Sequence, residues 1–251
     1  MSQKISRKDL VNQATILLKG WSDDEIDNAI IEVKSNLKEK ALEQRKNGFG
    51  KLFDAQQEIL KIRGCPEEIL QMFNEKRNKV LEKASVMHFF QEHIPFIPII
   101  PRSFMGIYGL MSMVHREEVG TAGGHLDPNE TLTDVSVSEN LYFIYGIENG
   151  SKTIGKAVGV ANHSIETTGR LSLTTEEGLS LCIMTNVLDS HSVNCAAVSR
   201  RGDSLAVLSI FASAKNKKVV LAWNNVNSER NNDQKFGTPS CAERDGDEKE
   251  K

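Results

Sequence analysis

The sequence predicts an α+β protein, with an N-terminal antiparallel helical region followed by a mixed region of β-hairpins with short helices. Apolar residues at helical spacing dominate the first part, whereas short apolar runs between turn residues dominate the second. Charged residues make up 31 of the first 93 positions but only 22 of the 133 positions from 94 to 226. We therefore predict a helical region over 1–93, an α+β region over 94–226 and a polar, partly disordered C-terminal tail over 227–251.

Four helices are predicted in the first region. The first carries apolar residues at 10, 11, 14, 17 and 18 and ends at Gly20. The second starts with a capping box, because Ser22 and Glu25 stand at N-cap and N3 spacing. Its apolar stripe runs to the segment "RKNGFG", where cations and glycines predict its end. A third helix over 51–63 stops at Gly64, and a fourth starts at Pro66 with two glutamates in its first turn.

The segment "HIPFIPIIPRS" joins the two regions. Its prolines recur every third residue, which matches the period of a polyproline II helix. The residues between the prolines are Phe and Ile, which are too apolar to leave in water. We therefore predict a buried strap at this junction.

The second region shows strand and turn signals. "LYFIYGIENGSKTIG" predicts a hairpin, since Asn149-Gly150 suits a type I′ turn. "SLAVLSIFAS" and "VVLAWNNV" predict a second hairpin across the polar "AKNKK". Between the two predicted hairpins, "LTTEEGLSLCIMTNVL" begins with a capping box from Thr174 to Glu177 and predicts a short helix.

Composition bears on location and on partners. The net charge of −3 gives no field that would draw nucleic acid or an anionic membrane. The N-terminus has no continuous apolar stretch of the kind found in secretory signals, and no apolar run is long enough to span a bilayer. These features predict a cytoplasmic protein that does not bind a membrane. The four cysteines are too far apart in the sequence to indicate a disulfide framework or a zinc site.

No motif for a cofactor or a metal is recognisable, so neither is predicted. Asp189 and His191 form the best local pair, because residues two apart on a strand share a face and the carboxylate could orient the imidazole ring. Turn residues facing solvent explain the same pattern. Cys182 and Cys195 lie in apolar runs that predict burial. Cys241 is the more exposed candidate for a nucleophile, but a structural or incidental thiol is the favoured interpretation.

Several motifs occur in the order of one known family: "IPFIPIIPRSFMGIYGLMSMV", "LDPNETLTDV", "YFIYGIENG", "GRLSLTTEEGLSL" and "FGTPSCAER". Over roughly residues 94 to 244 the chain resembles the bacterial domain of unknown function family 5701, which has no assigned activity or cofactor. The resemblance implies a bacterial protein and indicates where to look for a site. The residues on its motifs are Pro98, Pro101, Arg102, Tyr108, Asp127, Pro128, Arg170, Thr174, Glu177, Gly178 and Cys241.

Three hypotheses follow for function. The first is a binding module that contacts an unidentified protein or small molecule through the α+β region. The second is an enzyme, a hydrolase or transferase, with a pocket in the same region. The third makes the helical region a site of homo-oligomerisation, since its apolar stripe could pair between chains. The candidate contact residues are Arg102, Arg170, Glu177, Asp189 and His191, and structural roles are open for each: Arg102 could anchor the strap and Glu177 could cap its helix.

Overall fold

The computed structural model describes residues 21–114, 131–133, 138–200, 203–212, 219–225 and 235–245. Three predicted features lie outside these ranges: the first helix, the motif residues Asp127 and Pro128, and the turn "AKNKK". The described residues confirm the α+β class, with a long N-terminal helix followed by strands and shorter helices.

Helix α1 spans Asp23–Ile62 and is longer than predicted. The capping box at its start is confirmed, because the Ser22 amide donates to Glu25 at 2.7 Å and the Glu25 amide donates to the Ser22 hydroxyl at 3.3 Å. The predicted break at "RKNGFG" is wrong, since the helix continues through both glycines. Near this point the Phe49 ring contacts the Phe89 and Phe96 rings. Tertiary packing of this kind outweighs the low helix propensity of glycine.

The end of α1 is where the sequence predicts it. Gly64 has a positive φ of 79°. The Cys65 amide donates to the Leu60 carbonyl at 3.0 Å, and the Gly64 amide donates to the Lys61 carbonyl at 3.0 Å. These two bonds form a Schellman motif, which satisfies carbonyls that the helix leaves without partners. Two helices follow in place of the predicted single one, α2 (Glu67–Glu75) and α3 (Arg77–Val86).

The proline-rich segment is a β-strand. Strand β1 (Ile94–Ile99) pairs antiparallel with β3 (Tyr142–Ile147), and β10 (Glu243–Arg244) pairs with the other side of β3. The predicted burial is confirmed, because Phe96, Ile97 and Ile99 have no exposed surface. The polyproline II conformation is wrong. An edge strand tolerates proline because one of its sides makes no sheet hydrogen bonds, and β1 is an edge strand.

The predicted hairpin at Asn149-Gly150 is also wrong. After β3 the chain forms a 3₁₀ turn (Ser151–Thr153) and then helix α5 (Val158–Thr167). Gly150 does adopt a positive φ, of 97°. Its backbone packs against that of Gly237, because a Cβ added at Gly237 would lie 2.4 Å from the Gly150 carbonyl oxygen. Both positions therefore require glycine for close backbone contact.

Helix α4 (Arg102–Met113) follows β1 directly and is kinked at Gly106, which has a φ of 65°. The predicted capped helix is confirmed as α6 (Thr175–Met184), which is buried along nearly its whole length. A four-residue helix, α7 (Val187–Ser190), then leads into the second sheet.

The second sheet contains β2 (Thr131–Thr133), β5 (Ser192–Arg200), β6 (Asp203–Ala212) and β7 (Val219–Asn225) in that order. The predicted second hairpin is confirmed, because β6 and β7 pair antiparallel from Ala206–Asn225 to Ala212–Val219. Strand β8 (Phe236–Gly237) pairs in parallel with β5. Strand β4 (Leu171–Ser172) pairs with β9 (Ser240–Cys241) in a separate ladder. Three short strands thus lie in the segment predicted to be a polar tail.

The chain divides into two compact units between Asn47 and Gly48. Helix α1 contains residues of both units. The boundary predicted near residue 93 stays a prediction about domains. The hydrophobic core of the second unit is centred on β1 and β3, where the rings of Phe53, Phe73, Phe96 and Phe143 contact one another.

Candidate functional site

Glu177 lies in the core and makes four hydrogen bonds. Its Oε1 accepts from Arg244 Nε at 2.6 Å and from the Tyr142 hydroxyl at 3.2 Å. Its Oε2 accepts from Arg244 Nη2 at 3.0 Å and from the Thr174 amide at 2.8 Å. The last bond completes the predicted capping box. All four hydrogen bonds come from the protein's own backbone and side chains. Glu177 therefore has the structural role considered for it, which is to cap its helix.

The environment of Glu177 changes the acidity of its partners. Burial raises the pKa of Tyr142, and the charges of Glu177 and Glu176 raise it further. Burial disfavours the charged form of Arg244, but the hydrogen bonds and charge of Glu177 outweigh this and raise its pKa above the ordinary value. Glu177 and Arg244 are 0% and 3% exposed, respectively. The buried Arg244 guanidinium therefore stays charged because the Glu177 side chain compensates it.

Arg102 pairs with Glu176 rather than facing an open site. Its Nε donates to Glu176 Oε1, and the Glu176 side chain is buried while that of Arg102 is about one-third exposed. Arg102 is the first residue of α4, directly after the proline-rich segment. This ion pair therefore connects the start of α4 to the first turn of α6, which supports the anchoring role considered for Arg102.

Arg170 holds two strands together. Its Nη2 donates to the Gly146 carbonyl at 2.7 Å and to the Ser240 carbonyl at 3.0 Å, and its Nε donates to the Ser240 hydroxyl at 2.8 Å. These bonds join β3 to β9. The remaining nitrogen, Nη1, has no hydrogen-bond partner among the described residues. Arg170 as a whole is partly exposed.

Asp189 and His191 do not form the predicted strand pair. Asp189 lies in α7 and His191 follows its end, so the argument from a shared strand face is wrong. His191 is 5% exposed. Its Nε2 bonds to the Asn149 carbonyl at 2.9 Å and its Nδ1 bonds to the Ser190 hydroxyl at 2.8 Å. Because a carbonyl only accepts, Nε2 carries a proton, and the ring ties the turn after β3 to the start of β5.

The cysteines are all buried. This confirms the prediction for Cys182 and Cys195 and makes the predicted exposure of Cys241 wrong, since Cys241 has no exposed surface. Cys241 lies in β9, which pairs with β4 instead of belonging to a polar tail. Burial raises the pKa of Cys182 and of Cys195, so both remain thiols, the less nucleophilic form.

A surface that the sequence did not indicate lies beside Arg170. We call it the cationic turn surface and define it by Phe90, His93, Lys152 and Arg170. The Phe90 ring is 71% exposed, and the His93 ring meets it edge to face with centroids 5.1 Å apart. Lys152 Nζ lies 5.9 Å from the same ring centroid. One cation, one imidazole and one exposed aromatic ring thus share one part of the surface, and the charge of Arg170 acts on the same imidazole.

Backbone packing fixes the position of this surface. The turn that contains Phe89 and Phe90 lies over Gly146, where an added Cβ would be 3.5 Å from Phe89 Cδ1. The Gly146 carbonyl also receives the hydrogen bond from Arg170. The positive φ of Gly146, 61°, suits glycine at the point where the turn and the strand meet. The turn and the Arg170 guanidinium are therefore held against the same residue.

Two carboxylates border the cationic turn surface. Glu148 accepts from the Gly150 amide at 3.0 Å, from the Ser151 hydroxyl at 3.2 Å and from the Lys152 amide at 3.2 Å. Its charge is thus distributed over three local donors. Glu92 pairs with Lys152 Nζ at 3.2 Å, but both side chains are more than half exposed. An exposed pair of this kind contributes about 0–1 kcal/mol, so it can open for a competing anion.

The electrostatic surroundings of His93 reflect the same arrangement. Burial lowers the pKa of His93, and the charges of Arg170 and Lys152 lower it further, against the opposing effect of Glu148 and Glu92. The ring makes no hydrogen bond within the described part of the chain. Its nitrogens are therefore available, one as a donor in the neutral form and both as donors once the ring is protonated.

Comparisons with protein-family models, with curated proteins and with solved structures gave no match. The resemblance to the bacterial family stays a prediction. Within the described ranges, no group of three His, Cys, Asp or Glu side chains could hold a metal ion. In the same ranges, no helix is long and apolar enough to cross a bilayer. The site is thus characterised by its own side chains alone.

Proposed function

We propose that this is a soluble bacterial cytoplasmic binding module that holds a small-molecule ligand at the cationic turn surface. The observation that carries the proposal is Arg170, whose Nε and Nη2 are held by the fold while Nη1 has no hydrogen-bond partner among the described residues. The charge of this arginine acts on His93, whose ring contacts the exposed Phe90 ring. A guanidinium positioned in this way is preorganised, so little rotamer entropy is lost when a ligand binds. Phe90 supplies apolar area and Lys152 supplies a second charge.

The alternative is a hydrolase or transferase that uses Asp189 and His191, with either Cys241 or Glu177 as a further group. Binding is favoured because the reactive groups of these candidates serve the fold: Glu177 is saturated by core donors and both His191 ring nitrogens are hydrogen-bonded. A turnover that is detected on a panel of esters and group donors, and that His191→Ala abolishes, would support the enzyme instead.

The test of the binding proposal is a thermal-shift and native mass spectrometry panel of nucleotides, sugar phosphates, carboxylates and amino acids. The full chain is compared with Phe90→Ala and Lys152→Ala, whose side chains are exposed. Lys61→Ala, at an exposed position of α1, is the matched control. We expect at least one ligand to raise the melting temperature of the wild type and of the Lys61 variant but not of the other two.

Two results would contradict this proposal. Equal shifts in all four proteins would place the ligand elsewhere. A panel without any shift, together with a clean native mass spectrum, would replace the small molecule by a protein partner.

A further inference from the structure

We infer that the ligand of the cationic turn surface carries a phosphate group, which is held by Arg170 Nη1, Lys152 Nζ and the His93 ring. This inference rests on the proposed function and names the chemical class of the ligand. The three donor side chains come from three separate parts of the chain: the turn before β1, the 3₁₀ turn after β3 and the residue before β4.

The number of donors favours phosphate over carboxylate. A phosphate monoester presents three terminal oxygens, so three donors from three separate segments of the chain can each take one. A carboxylate has two oxygens and is best matched by the two parallel N–H groups of one arginine. Arg170 is not arranged for that bidentate contact, because its Nη2 already donates to the carbonyls of Gly146 and Ser240.

The charge balance points the same way. Lys152 and Arg170 bring two positive charges, and Glu148 and Glu92 bring two negative ones. Glu148 is already compensated by three local donors, and Glu92 is the exposed partner that a ligand displaces from Lys152. A dianion competes with Glu92 for Lys152 better than a monoanion does, because its attraction to each cation is about twice as large.

His93 makes the site sensitive to pH. Its proton is disfavoured in the free protein by burial and by the charges of Arg170 and Lys152. A bound dianion offsets both charges, so the imidazole takes up a proton when the ligand binds. By linkage, a group whose pKa rises on binding makes binding tighter as the pH falls through that pKa range. Binding of a phosphate monoester, which stays largely dianionic down to its second pKa of about 6, should therefore strengthen as the pH falls from 8 toward 6.

The experiment uses the full-length protein labelled with ¹⁵N histidine. The pKa of the His93 ring is measured by NMR with and without inorganic phosphate and with phenyl phosphate, whose ring can contact Phe90. Sodium chloride at matched ionic strength is the control for screening. We expect both phosphates to raise the pKa of His93 by more than chloride does at the same ionic strength. Phenyl phosphate should bind more tightly than inorganic phosphate, and Phe90→Ala should remove that difference.

Variants decide which residues hold the anion. Lys152→Ala should weaken phosphate binding about tenfold, because it removes one charge-assisted hydrogen bond. Lys61→Ala should have no effect. His93→Gln should retain binding at pH 8 but abolish its strengthening at pH 6. An unchanged His93 titration with phosphate, a shift reproduced by chloride, or full affinity in Lys152→Ala would each overturn the phosphate inference.

The two proposals can fail separately. A ligand without phosphate that binds the wild type but neither Phe90→Ala nor Lys152→Ala would overturn the phosphate inference while leaving the binding module in place. If every ligand class bound the wild type and all the variants equally, both proposals would be overturned.

Discussion

Glu177→Gln removes the negative partner of an ion pair in the core of the second unit. The substitution leaves Arg244, which is 3% exposed, without its compensating charge. Breaking a buried pair by removing one partner costs about 3–5 kcal/mol. The local geometry supports this magnitude, because Arg244 makes two bonds to Glu177, at 2.6 and 3.0 Å, and hydrogen bonds to charged groups contribute about 1.5–3 kcal/mol each.

The assay is urea unfolding followed by circular dichroism, with the free energy of unfolding taken by linear extrapolation. The matched control is Asp54→Asn, which breaks the Arg77–Asp54 pair. The Arg77 and Asp54 side chains are 35% and 59% exposed, so the cost there should be below about 1 kcal/mol. Unfolding of the Glu177 variant should therefore occur at a much lower urea concentration than that of the control.

A double-mutant cycle separates the pair from general damage to the core. Arg244→Met alone should cost about as much as Glu177→Gln, because it leaves a buried carboxylate without its cation. The double variant should cost less than the sum, by about 2 kcal/mol or more, since it leaves no uncompensated charge. Additive costs, or a Glu177→Gln variant as stable as the Asp54→Asn control, would refute the reasoning.

Four further predictions concern packing, helix continuity, thiol ionisation and assembly. Gly178→Ala should destabilise the protein by about 1–3 kcal/mol in urea unfolding, since the added Cβ would lie 2.5 Å from Cys195 Sγ. A second substitution, Cys195→Ala, should recover most of this loss. A double variant that recovers nothing would show that the clash is not the cause. Gly48→Ala should stabilise the protein by about 0.5–1 kcal/mol in the same assay, because no atom lies within 4 Å of the added Cβ in a continuous helix; a loss would indicate a turn. Burial raises the pKa of Cys65 from 9.0 to about 11. The stability that this thiol contributes is therefore complete below pH 9 and is lost as the pH rises toward 11. Over that range Cys65→Ala should lose less stability than the wild type, and an equal loss would contradict this account. The third hypothesis predicts self-association through the apolar stripe of α1, in which Leu37 is 62% exposed. Light scattering should give a mass above that of one chain for the wild type and a lower mass for Leu37→Glu. A monomeric wild type would overturn the hypothesis.

Local signals in the sequence were sufficient where the decisive contacts are local. Both capping boxes join residues three apart, so the chain between Thr174 and Glu177 contains all the information that the cap requires. The Schellman motif at Gly64 likewise involves only the last turn of α1. These features were predicted correctly from residue type and spacing.

The hairpin at Asn149-Gly150 failed for a tertiary reason. A hairpin needs a free edge of β3 for the returning segment, but β1 occupies one edge and β10 occupies the other. Both partners are distant in sequence, and β10 lies in a segment whose polar composition predicts a tail. The turn propensity of Asn149-Gly150 is real, since Gly150 has a positive φ, but it is used to pass Gly237 closely instead of reversing a strand.

The candidate site could be predicted only in part for the same reason. Arg170 was identified from the family resemblance, but its strand contacts at Gly146 and Ser240 and its neighbours on the surface were not. The partner of Glu177 in the core lies 67 residues away along the chain. His93 and Lys152 each have an ordinary sequence context, and only the packing of the turn over Gly146 brings them to the same surface.

Arg170 shows why a structural role and a binding role can belong to one side chain. The bonds from Nε and Nη2 to β9 and β3 restrict the guanidinium plane and therefore also the position of Nη1. Substituting Arg170 would therefore remove strand contacts and ligand contacts together, so a loss of binding in that variant would not identify the cause. Within the part of the chain that the structure describes, the Lys152 amine contacts Glu92 and the Phe90 ring, and both of these side chains are exposed. Its replacement tests recognition without removing any contact between strands, and for this reason the experiments above depend on Lys152.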